Sequence, residues 1–347
     1  MNWLEYTWQE FEQYFIGIVL MRIVYVLVSD SEDIYYEECM ISIKSIKTNK
    51  IDAEIFVVMD DDTFEGLIGK RSEIKKYAII KHLPFESGVK KRIRSRVLKT
   101  SIRELIEGSF LYVDTDTVFC EKIEADSFRD IPDIGMVLDK HTSIDLYYNK
   151  QFYYKNAERL GFSVGYQGKH YNSGVFWVND TAESRHFFKR WKELYLYSVK
   201  KKIFTDQTSL NEANFDFDGI ITELPGEWNV QVDTGINYIH NAKIIHYVGY
   251  SPRHKHGDIR MSVPYGLCDY QLFMQYKETG LFSKELLEII NNPKSGFKNV
   301  YIIADDCAAY RVLGSYQFKV IRLLQIRARV LYEGIERILR LVIEPFI

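Results

Sequence analysis

The stretch Ser109-Phe-Leu-Tyr-Val-Asp114-Thr-Asp116-Thr-Val-Phe119 places two aspartates, one residue apart, directly after an apolar run. The run from Phe110 to Val113 is typical of a buried β-strand, so it predicts a core strand that ends at Asp114. Carboxylate oxygens are ligands that Mg²⁺ and Mn²⁺ prefer. Pairs of this kind also occur in ordinary turns and helix caps that bind no metal. The position directly after a core strand favours the metal-binding interpretation.

The sequence around this stretch predicts an alternation of strands and helices. Predicted strands cover Ile23 to Val28, Glu54 to Met59, a short segment near Ile79, and Phe110 to Val113. Predicted helices cover about residues 35 to 47, 64 to 76 and 91 to 106. This order predicts an α/β fold with a Rossmann-like, mostly parallel sheet and helices on both faces. Ligands of such sheets bind beyond the carboxyl ends of the strands, where Asp114 and Asp116 fall.

Two common phosphate-binding motifs are missing from the chain. Neither G-x-G-x-x-G nor G-x-x-x-x-G-K-[ST] occurs, although both cradle phosphate with backbone amides. A phosphorylated ligand would therefore have to be neutralised in another way. A metal ion on the aspartate pair is the obvious substitute.

Composition sets limits on the class of protein. With 347 residues and 46% hydrophobic content, the chain can form one large domain with an appendage, or two small ones. The formal net charge of −3 gives no bulk attraction to nucleic acid, which we do not expect as a partner. The four cysteines, Cys39, Cys120, Cys268 and Cys307, lie far apart. This spacing argues against a disulfide framework and favours a reducing, cytoplasmic location.

The start of the chain has an apolar stretch but lacks the features of a signal peptide. Residues 1–21 carry Glu5, Glu10 and Glu12 where a signal peptide has basic residues. The apolar stretch from Tyr14 onward is interrupted by Arg22, and a run that favours β-structure follows. We therefore expect an N-terminal extension followed by a core strand, in preference to a membrane span.

Five groups of residues, in this order, resemble the landmarks of glycosyltransferase family 8. They are Tyr112-Val-Asp114-Thr-Asp116, Asn172-Ser-Gly174, Asp206-Gln207 with Leu210-Asn211, Leu224-Pro225 with Trp228-Asn229, and His246-Tyr-Val-Gly249. Family 8 comprises GT-A enzymes similar to bacterial lipopolysaccharide galactosyltransferases and glycogenin. The resemblance covers roughly residues 22 to 250 and implies a GT-A catalytic domain, which we predict over residues 22–257.

The resemblance also implies roles for individual residues. Asp114, Asp116 and His246 would bind Mn²⁺ or Mg²⁺. Gln207 would lie beneath the transferred sugar, with Asp206 beside it. The residues implied in donor binding are Val28, Ser29, Tyr35, Arg96, Asp139, Asn172 and Gly249, and Lys255 is added as a candidate outside the family pattern. Within that set, Tyr35 would stack on the nucleobase and the Val28-Ser29 backbone would contact the edge of the base.

Several of these residues have a purely structural alternative. His246 could be a structural histidine, Asp206 could cap a helix, and Asn172-Ser-Gly174 could be an ordinary turn. After Gly249 the chain departs from the family pattern, and either Arg253 or Lys255 could reach a diphosphate. The basic run of residues 90 to 99 is interpreted mainly as a solvated helix face, in which Arg96 alone has a specific reason to point inward.

The function implied is transfer of a hexose from a UDP-sugar to a glycan or a lipid-linked saccharide. Family 8 enzymes retain the anomeric configuration. Because Gln207, the best-matched residue beneath the sugar, is a poor nucleophile, front-side attack by the acceptor is the working hypothesis, with Asp206 as the fallback nucleophile. An inverting transferase would instead use Asp139 or Asp206 as general base. A sugar nucleotidyltransferase is a further alternative, although residues 28–33 are acidic where its glycine-rich loop should be. A non-catalytic, membrane-associated adaptor is the last alternative.

The region of residues 258–347 carries no family landmark and is predicted to be largely helical. From Tyr316 onward apolar residues alternate with basic ones, which are Lys319, Arg322, Arg327, Arg329, Arg337 and Arg340. A basic amphipathic helix can lie on an anionic membrane surface. The alternative is a terminal helix packed on the catalytic domain or in a dimer. Membrane attachment would suit lipid-linked acceptors and implies the inner face of the membrane.

Overall fold

The computed structural model describes residues 21–147, 150–232, 234, 236–248, 270–297 and 316–343. Residues 1–20 of the predicted N-terminal extension lie outside the described residues, as do Gly249, Arg253 and Lys255. Statements on the extension and on these three donor-site candidates therefore remain predictions.

A seven-stranded sheet forms the centre of the fold, in the order β3-β2-β1-β4-β7-β6-β8. Its strands are β1 (Met21–Leu27), β2 (Ala53–Asp60), β3 (Ile79–Leu83), β4 (Phe110–Val113), β6 (Ile134–Leu138), β7 (Tyr171–Val178) and β8 (Ile221–Glu223). Strands β1 to β4 are parallel to one another, and β6 is parallel to β8. Strand β7 is antiparallel to both of its neighbours. The predicted mostly parallel α/β sheet is confirmed.

Helices cover both faces of this sheet because successive side chains of a strand point in opposite directions. In β1, Ile23, Tyr25 and Leu27 pack into one core cluster, whereas Val24 and Val26 pack into a second. The α-helices of the described residues are α1 (Tyr35–Thr48), α2 (Asp61–Glu65), α3 (Lys91–Leu105), α4 (Gln151–Leu160), α5 (Ala182–Lys200), α6 (Asp206–Asp216), α7 (Tyr270–Thr279), α8 (Lys284–Asn291), α9 (Tyr316–Arg327) and α10 (Arg329–Ile343).

The helix predicted over residues 64–76 is wrong, since two shorter elements occupy that region. Asp60 accepts a hydrogen bond from the Thr63 backbone N–H, and this cap starts α2 at Asp61. Gly66 ends α2, and Gly69 has a φ of 53° that no α-helix can contain. A 3₁₀ helix then covers Gly69–Lys76.

A three-stranded sheet lies next to the main one and holds the end of the aspartate motif. It consists of β5 (Thr117–Phe119), β10 (Ile244–His246) and β9 (Val230–Gln231), with β10 in the centre. Asp114 and Asp116 lie on the connection between β4 and β5, so they join the two sheets. The Asp114 N–H donates to the Gly174 carbonyl at 2.7 Å, and the Tyr247 N–H donates to the Asp116 carbonyl at 2.9 Å. Both aspartates are thus fixed by backbone bonds to neighbouring strands.

The C-terminal helices divide into two pairs with different surroundings. Phe273 and Tyr276 of α7 and Leu286 and Ile290 of α8 are buried in the same core cluster as α1. Helices α9 and α10 contact each other and expose many apolar side chains, which include Tyr316, Val320, Ile321, Leu323, Val330, Leu331, Ile335 and Ile338. Within the described part of the chain, no helix combines the length and the hydrophobicity needed to cross a bilayer.

Candidate functional site

A cavity of about 650 Å³ opens at the carboxyl ends of β1 and β4. It is lined by nine of the residues that the sequence predicted for the site, namely Val28, Tyr35, Arg96, Asp114, Asp116, Asn172, Asp206, Gln207 and His246. The cavity volume falls in the range of small-molecule sites. The α/β fold therefore gathers these residues from separate parts of the chain at one edge of the sheet.

Asp114, Asp116 and His246 form a cluster that could hold a metal ion. Each offers one ligand atom, and these atoms lie within 4.8 Å of one another. His246 Nε2 is 3.3 Å from Asp116 Oδ1 and 3.9 Å from Asp114 Oδ2. Two carboxylates and an imidazole, gathered at the wall of a cavity, form a donor set that fits a divalent cation with room for water or phosphate ligands.

A chain of hydrogen bonds sets the orientation of the His246 ring. The Asp139 carboxylate accepts from Asn172 Nδ2 at 2.9 Å, so the Asn172 Oδ1 atom is left to accept from Asn229 Nδ2, also at 2.9 Å. Asn229 therefore turns its Oδ1 toward His246 Nδ1, at 3.0 Å. An acceptor at that point puts the proton on Nδ1 and directs the lone pair of Nε2 toward Asp116. Hydrogen bonds of this kind behind a ligand histidine fix its tautomer and orientation.

Gly174 is the position in β7 against which the His246 ring packs. A Cβ atom added at Gly174 would lie 2.1 Å from His246 Cε1 and 3.0 Å from Asn172 Oδ1. Asn172, Ser173 and Gly174 belong to β7 and do not form the turn that was left open as an alternative. The missing side chain at Gly174 is thus what lets β7 and the histidine approach so closely.

Asp206 is buried and is held by three polar partners. Arg96 Nε lies 3.0 Å from Oδ1, while Ser173 Oγ at 3.0 Å and Lys99 Nζ at 3.5 Å approach Oδ2. Burial by itself raises the pKa of Asp206, but the charges of Lys99 and Arg96 outweigh burial and lower the pKa to about 2. Asp206 is the first residue of α6. Its side chain lines the cavity and does not cap the helix.

The basic helix α3 contributes more to the cavity than the predicted solvated face allows. Lys91, Arg92, Ser95, Arg96 and Lys99 all line it. Lys99 is the residue that the sequence interpretation missed, since its side chain is 2% exposed and its Nζ lies 2.9 Å from Asp114 Oδ1. The sequence did contain a signal for Lys99, because Arg96 and Lys99 are three positions apart and this spacing puts both on one helix face.

Gln207 contributes a buried side-chain amide nitrogen to the candidate site. Its Nε2 is buried and has no hydrogen-bond partner among the described residues. Buried polar atoms of this kind are rare in folded proteins and commonly mark a site that a ligand completes. Gln207 lines the cavity, so the free donor is available to a bound molecule.

Of the three residues predicted to contact the nucleobase, two line the cavity and Ser29 does not. Tyr35 and Val28 line the cavity, and the Asp33 carboxylate accepts from the Tyr35 N–H at 3.2 Å, which fixes the start of α1. The Ser29 N–H donates to Thr63 Oγ1 at 2.9 Å, and the Thr63 hydroxyl donates back to the Ser29 carbonyl at 3.2 Å. Both backbone groups of Ser29 are therefore already paired within the protein.

Asp139 lies behind the cavity wall. It is 6% exposed, and its two oxygens accept from Asn172 Nδ2 and, at 2.6 Å, from the Tyr153 hydroxyl. Although burial raises its pKa, the nearby Lys140 and His170 and these hydrogen bonds lower the pKa below the ordinary value. The carboxylate is thus held ionised, where it orients Asn172.

Comparison with known proteins identifies the fold. No protein-family model matches the chain, and no curated protein matches its sequence. A crystal structure of the galactosyltransferase LgtC, in complex with donor and acceptor sugar analogues, matches with a TM-score of 0.51 at 15% identity. That match covers 77% of this chain and 99% of the galactosyltransferase. The chain therefore has the GT-A fold, as the family 8 resemblance predicted.

Two further transferase structures are similar at a lower level. Mouse xyloside xylosyltransferase 1 matches at 13% identity with a TM-score of 0.45, over 67% of this chain and 98% of that one. The glycosyltransferase GlyE of Streptococcus pneumoniae TIGR4 matches at 15% identity with a TM-score of 0.44, over 78% of this chain and 62% of that one. Likenesses of this strength support no inference on function.

We expect Gly174→Ala to weaken Mn²⁺ binding at least about tenfold, because the new methyl group displaces the His246 ring, and loss of fixed ligand orientation costs about 10- to 100-fold. Mn²⁺ titration followed by electron paramagnetic resonance measures the affinity, with circular dichroism to verify folding.

Gly334→Ala is the matched control, since a Cβ there meets nothing within 4 Å. Unchanged Mn²⁺ affinity in a folded Gly174→Ala protein would contradict the assignment of His246 as a ligand.

Proposed function

We propose that this protein is a metal-dependent glycosyltransferase that moves a hexose from a UDP-sugar to a glycan or a lipid-linked saccharide. The observation that carries the proposal is the cluster of Asp114, Asp116 and His246 at the wall of a cavity that Arg96 and Gln207 also line. This arrangement offers a metal site, a cation for phosphate and a polar donor for the sugar within one cavity. The GT-A fold makes a sugar nucleotide the expected ligand class.

Mn²⁺ or Mg²⁺ would be held by Asp114, Asp116 and His246. When bound, the cation supplies positive charge that stabilises the diphosphate as it leaves. Arg96 contributes a second positive charge from helix α3 at the cavity wall. Electrostatic stabilisation by fixed charges in a cavity can contribute several kcal/mol to the rate.

The nucleobase would bind between Tyr35 and the Val28 backbone at the end of β1. Tyr35 provides an aromatic face, and its backbone is fixed by the Asp33 carboxylate. Ser29 would act indirectly, since its bonds with Thr63 hold the end of β1 in place. Gln207 lines the cavity with an unpaired amide donor, which supports a sugar position over it. Asn172 lines the same cavity but would act indirectly, since both ends of its amide are bonded within the protein. Gly249 and Lys255 remain proposed contacts to the diphosphate.

Retention of the anomeric configuration, by front-side attack, is our proposed course of the reaction. The acceptor oxygen would bond to the anomeric carbon on the face from which the diphosphate leaves, and the acceptor proton would pass to the departing diphosphate. Asp206 is poorly suited to act as nucleophile, because it is buried, forms ion pairs with Arg96 and Lys99, and accepts a hydrogen bond from Ser173. A glycosyl adduct trapped on Asp206 and identified by mass spectrometry would contradict this course.

An inverting mechanism finds less support in the described residues. It needs a carboxylate that can take a proton from the acceptor, and the two candidates are Asp139 and Asp206. The pKa of each is lowered, and Asp139 has both oxygens engaged. The nucleotidyltransferase alternative would require a phosphate-binding loop that residues 28–33 do not resemble. A non-catalytic adaptor would have no need of three candidate metal ligands at the wall of a cavity.

Attachment to an anionic membrane surface through α9 and α10 is our proposal for the end of the chain. The described side chains of these helices expose apolar groups together with Lys319, Arg327 and Arg337. Apolar side chains enter the interface of a bilayer, and each cation near an anionic surface adds about 1 kcal/mol. This arrangement would bring the cavity near lipid-linked acceptors at the inner face of the membrane.

We expect UDP release from one member of a panel of UDP-sugars when Mn²⁺ is present, because many transferases hydrolyse their donor slowly without acceptor. EDTA and the Asp116→Ala substitution should each reduce the rate at least about 100-fold, since both remove the charge that stabilises the leaving diphosphate.

Asp62→Ala is the matched control, because Asp62 is also an acid that follows a strand but does not line the cavity. Release that survives EDTA and Asp116→Ala would contradict the proposed site, and no turnover or binding of any UDP-sugar would contradict the proposed donor class.

We expect the protein to cosediment with anionic liposomes at low salt, and a Lys319→Glu, Arg327→Glu, Arg337→Glu triple variant to lose most of this binding. A triple variant of exposed lysines on α5 and at its end, Lys189→Glu, Lys200→Glu, Lys201→Glu, has the same change in charge and should still cosediment. Equal loss in both variants, or no binding by the unaltered protein, would contradict the proposal.

A further inference from the structure

The buried ammonium group of Lys99 lies between Asp206 and Asp114, one of the three candidate metal ligands. Its Nζ is 2.9 Å from Asp114 Oδ1, 2.9 Å from the Ser173 carbonyl oxygen and 3.5 Å from Asp206 Oδ2. One hydrogen bond to the Ser173 carbonyl and ion pairs with two carboxylates hold this ammonium group in place. With 2% of the side chain exposed, Lys99 is a fixed charge that water hardly screens.

The two carboxylate oxygens of Asp114 have different neighbours, and Lys99 lies on only one of them. Oδ1 receives Lys99 and, at 2.5 Å, the Tyr112 hydroxyl, whereas Oδ2 faces His246 at 3.9 Å. A cation at the cluster would therefore find one oxygen of Asp114 already engaged by a positive charge. Lys99 thus competes electrostatically with any cation for this aspartate.

The charges around the cluster are nearly balanced before any ligand binds. The cavity lining has four acids, Asp33, Asp114, Asp116 and Asp206, and four basic residues, Lys91, Arg92, Arg96 and Lys99. A divalent cation would turn this balance into a positive excess. A diphosphate would restore the balance, because it brings negative charge to the same part of the cavity.

We propose that Lys99 is a positioning residue that keeps the metal affinity of the free protein low and makes metal binding depend on the diphosphate. This inference rests on the proposed function for the identity of the diphosphate. Two ligands that each improve the binding of the other are coupled by a free energy that a thermodynamic cycle measures. The direct attraction between the cation and the diphosphate supplies part of this coupling, and Lys99, which occupies Asp114 Oδ1 in the free protein, adds to it.

The test is a titration of the full-length protein with Mn²⁺, followed by electron paramagnetic resonance of free Mn²⁺, with and without UDP. Solutions of Mn²⁺ and UDP without protein correct for their own association. For the unaltered protein we expect UDP to tighten Mn²⁺ binding at least about tenfold. In Lys99→Gln and Lys99→Met, Mn²⁺ should bind about five- to tenfold more tightly without UDP, and the effect of UDP should shrink by a similar factor.

Lys192→Gln is the matched control, since Lys192 also pairs with a carboxylate, that of Glu104, but does not line the cavity. Its loss should change Mn²⁺ affinity less than about twofold, because that charge is partly exposed and screened. Thermal unfolding by circular dichroism verifies that each variant folds. Gln can still donate to the Ser173 carbonyl, so Lys99→Gln decides the result if Lys99→Met does not fold.

Three outcomes would overturn the inference. Folded Lys99 variants with unaltered or weaker Mn²⁺ binding would overturn it and leave the proposed function intact. Failure of UDP to tighten Mn²⁺ binding in the unaltered protein would also overturn it, even if neither Lys99 variant folds, and would count against a metal on the diphosphate as well. If the unaltered protein binds no Mn²⁺ with or without UDP, the proposed metal site fails together with the role of Lys99.

Discussion

The contact between the His246 ring and the backbone of Gly174 is the constraint on which the site depends. It brings β10 of the small sheet against β7 of the large sheet, at the point where Asp114 and Asp116 connect the two sheets. Dense packing leaves no room for even one methyl group at this contact. Because the ring is also oriented from behind by Asn229, its Nε2 has one direction open, and that direction faces the acids.

Electrostatics imposes a second constraint, since the cavity keeps several charges out of bulk water. An isolated buried charge is costly, and a buried ion pair recovers that cost only when its geometry is good and its other polar atoms are bonded. Asp206 and Lys99 satisfy this condition through each other and through Ser173. These two charged groups are therefore held in place before a ligand binds.

Sequence patterns were sufficient for strands β1 to β4, for helices α1 and α3 and for the position of the aspartate pair after β4, because burial imposes period and length on strands and helices. The antiparallel direction of β7 could not be predicted, since an apolar run reads the same in both directions. The break between α2 and the 3₁₀ helix is caused by the Asp60 cap and the positive φ of Gly69. The apolar spacing over residues 64–76 is compatible with one helix, so it did not predict this break. Lys99 was missed because a run of six basic residues between 90 and 99 hides which of them face inward. Asn229 appeared only as part of a family landmark, because hydrogen bonds between distant side chains leave no local pattern.

The most direct test of the account is the location of the metal itself. Crystals of the protein grown with Mn²⁺ and UDP can be measured on both sides of the manganese absorption edge, so that anomalous differences locate the ion without assumptions on its ligands. We predict a manganese peak within ligand distance of Asp114, Asp116 and His246 Nε2, with the diphosphate of UDP on the cavity side. Manganese bound elsewhere, with UDP in the cavity and these three side chains free of metal, would contradict the central claim.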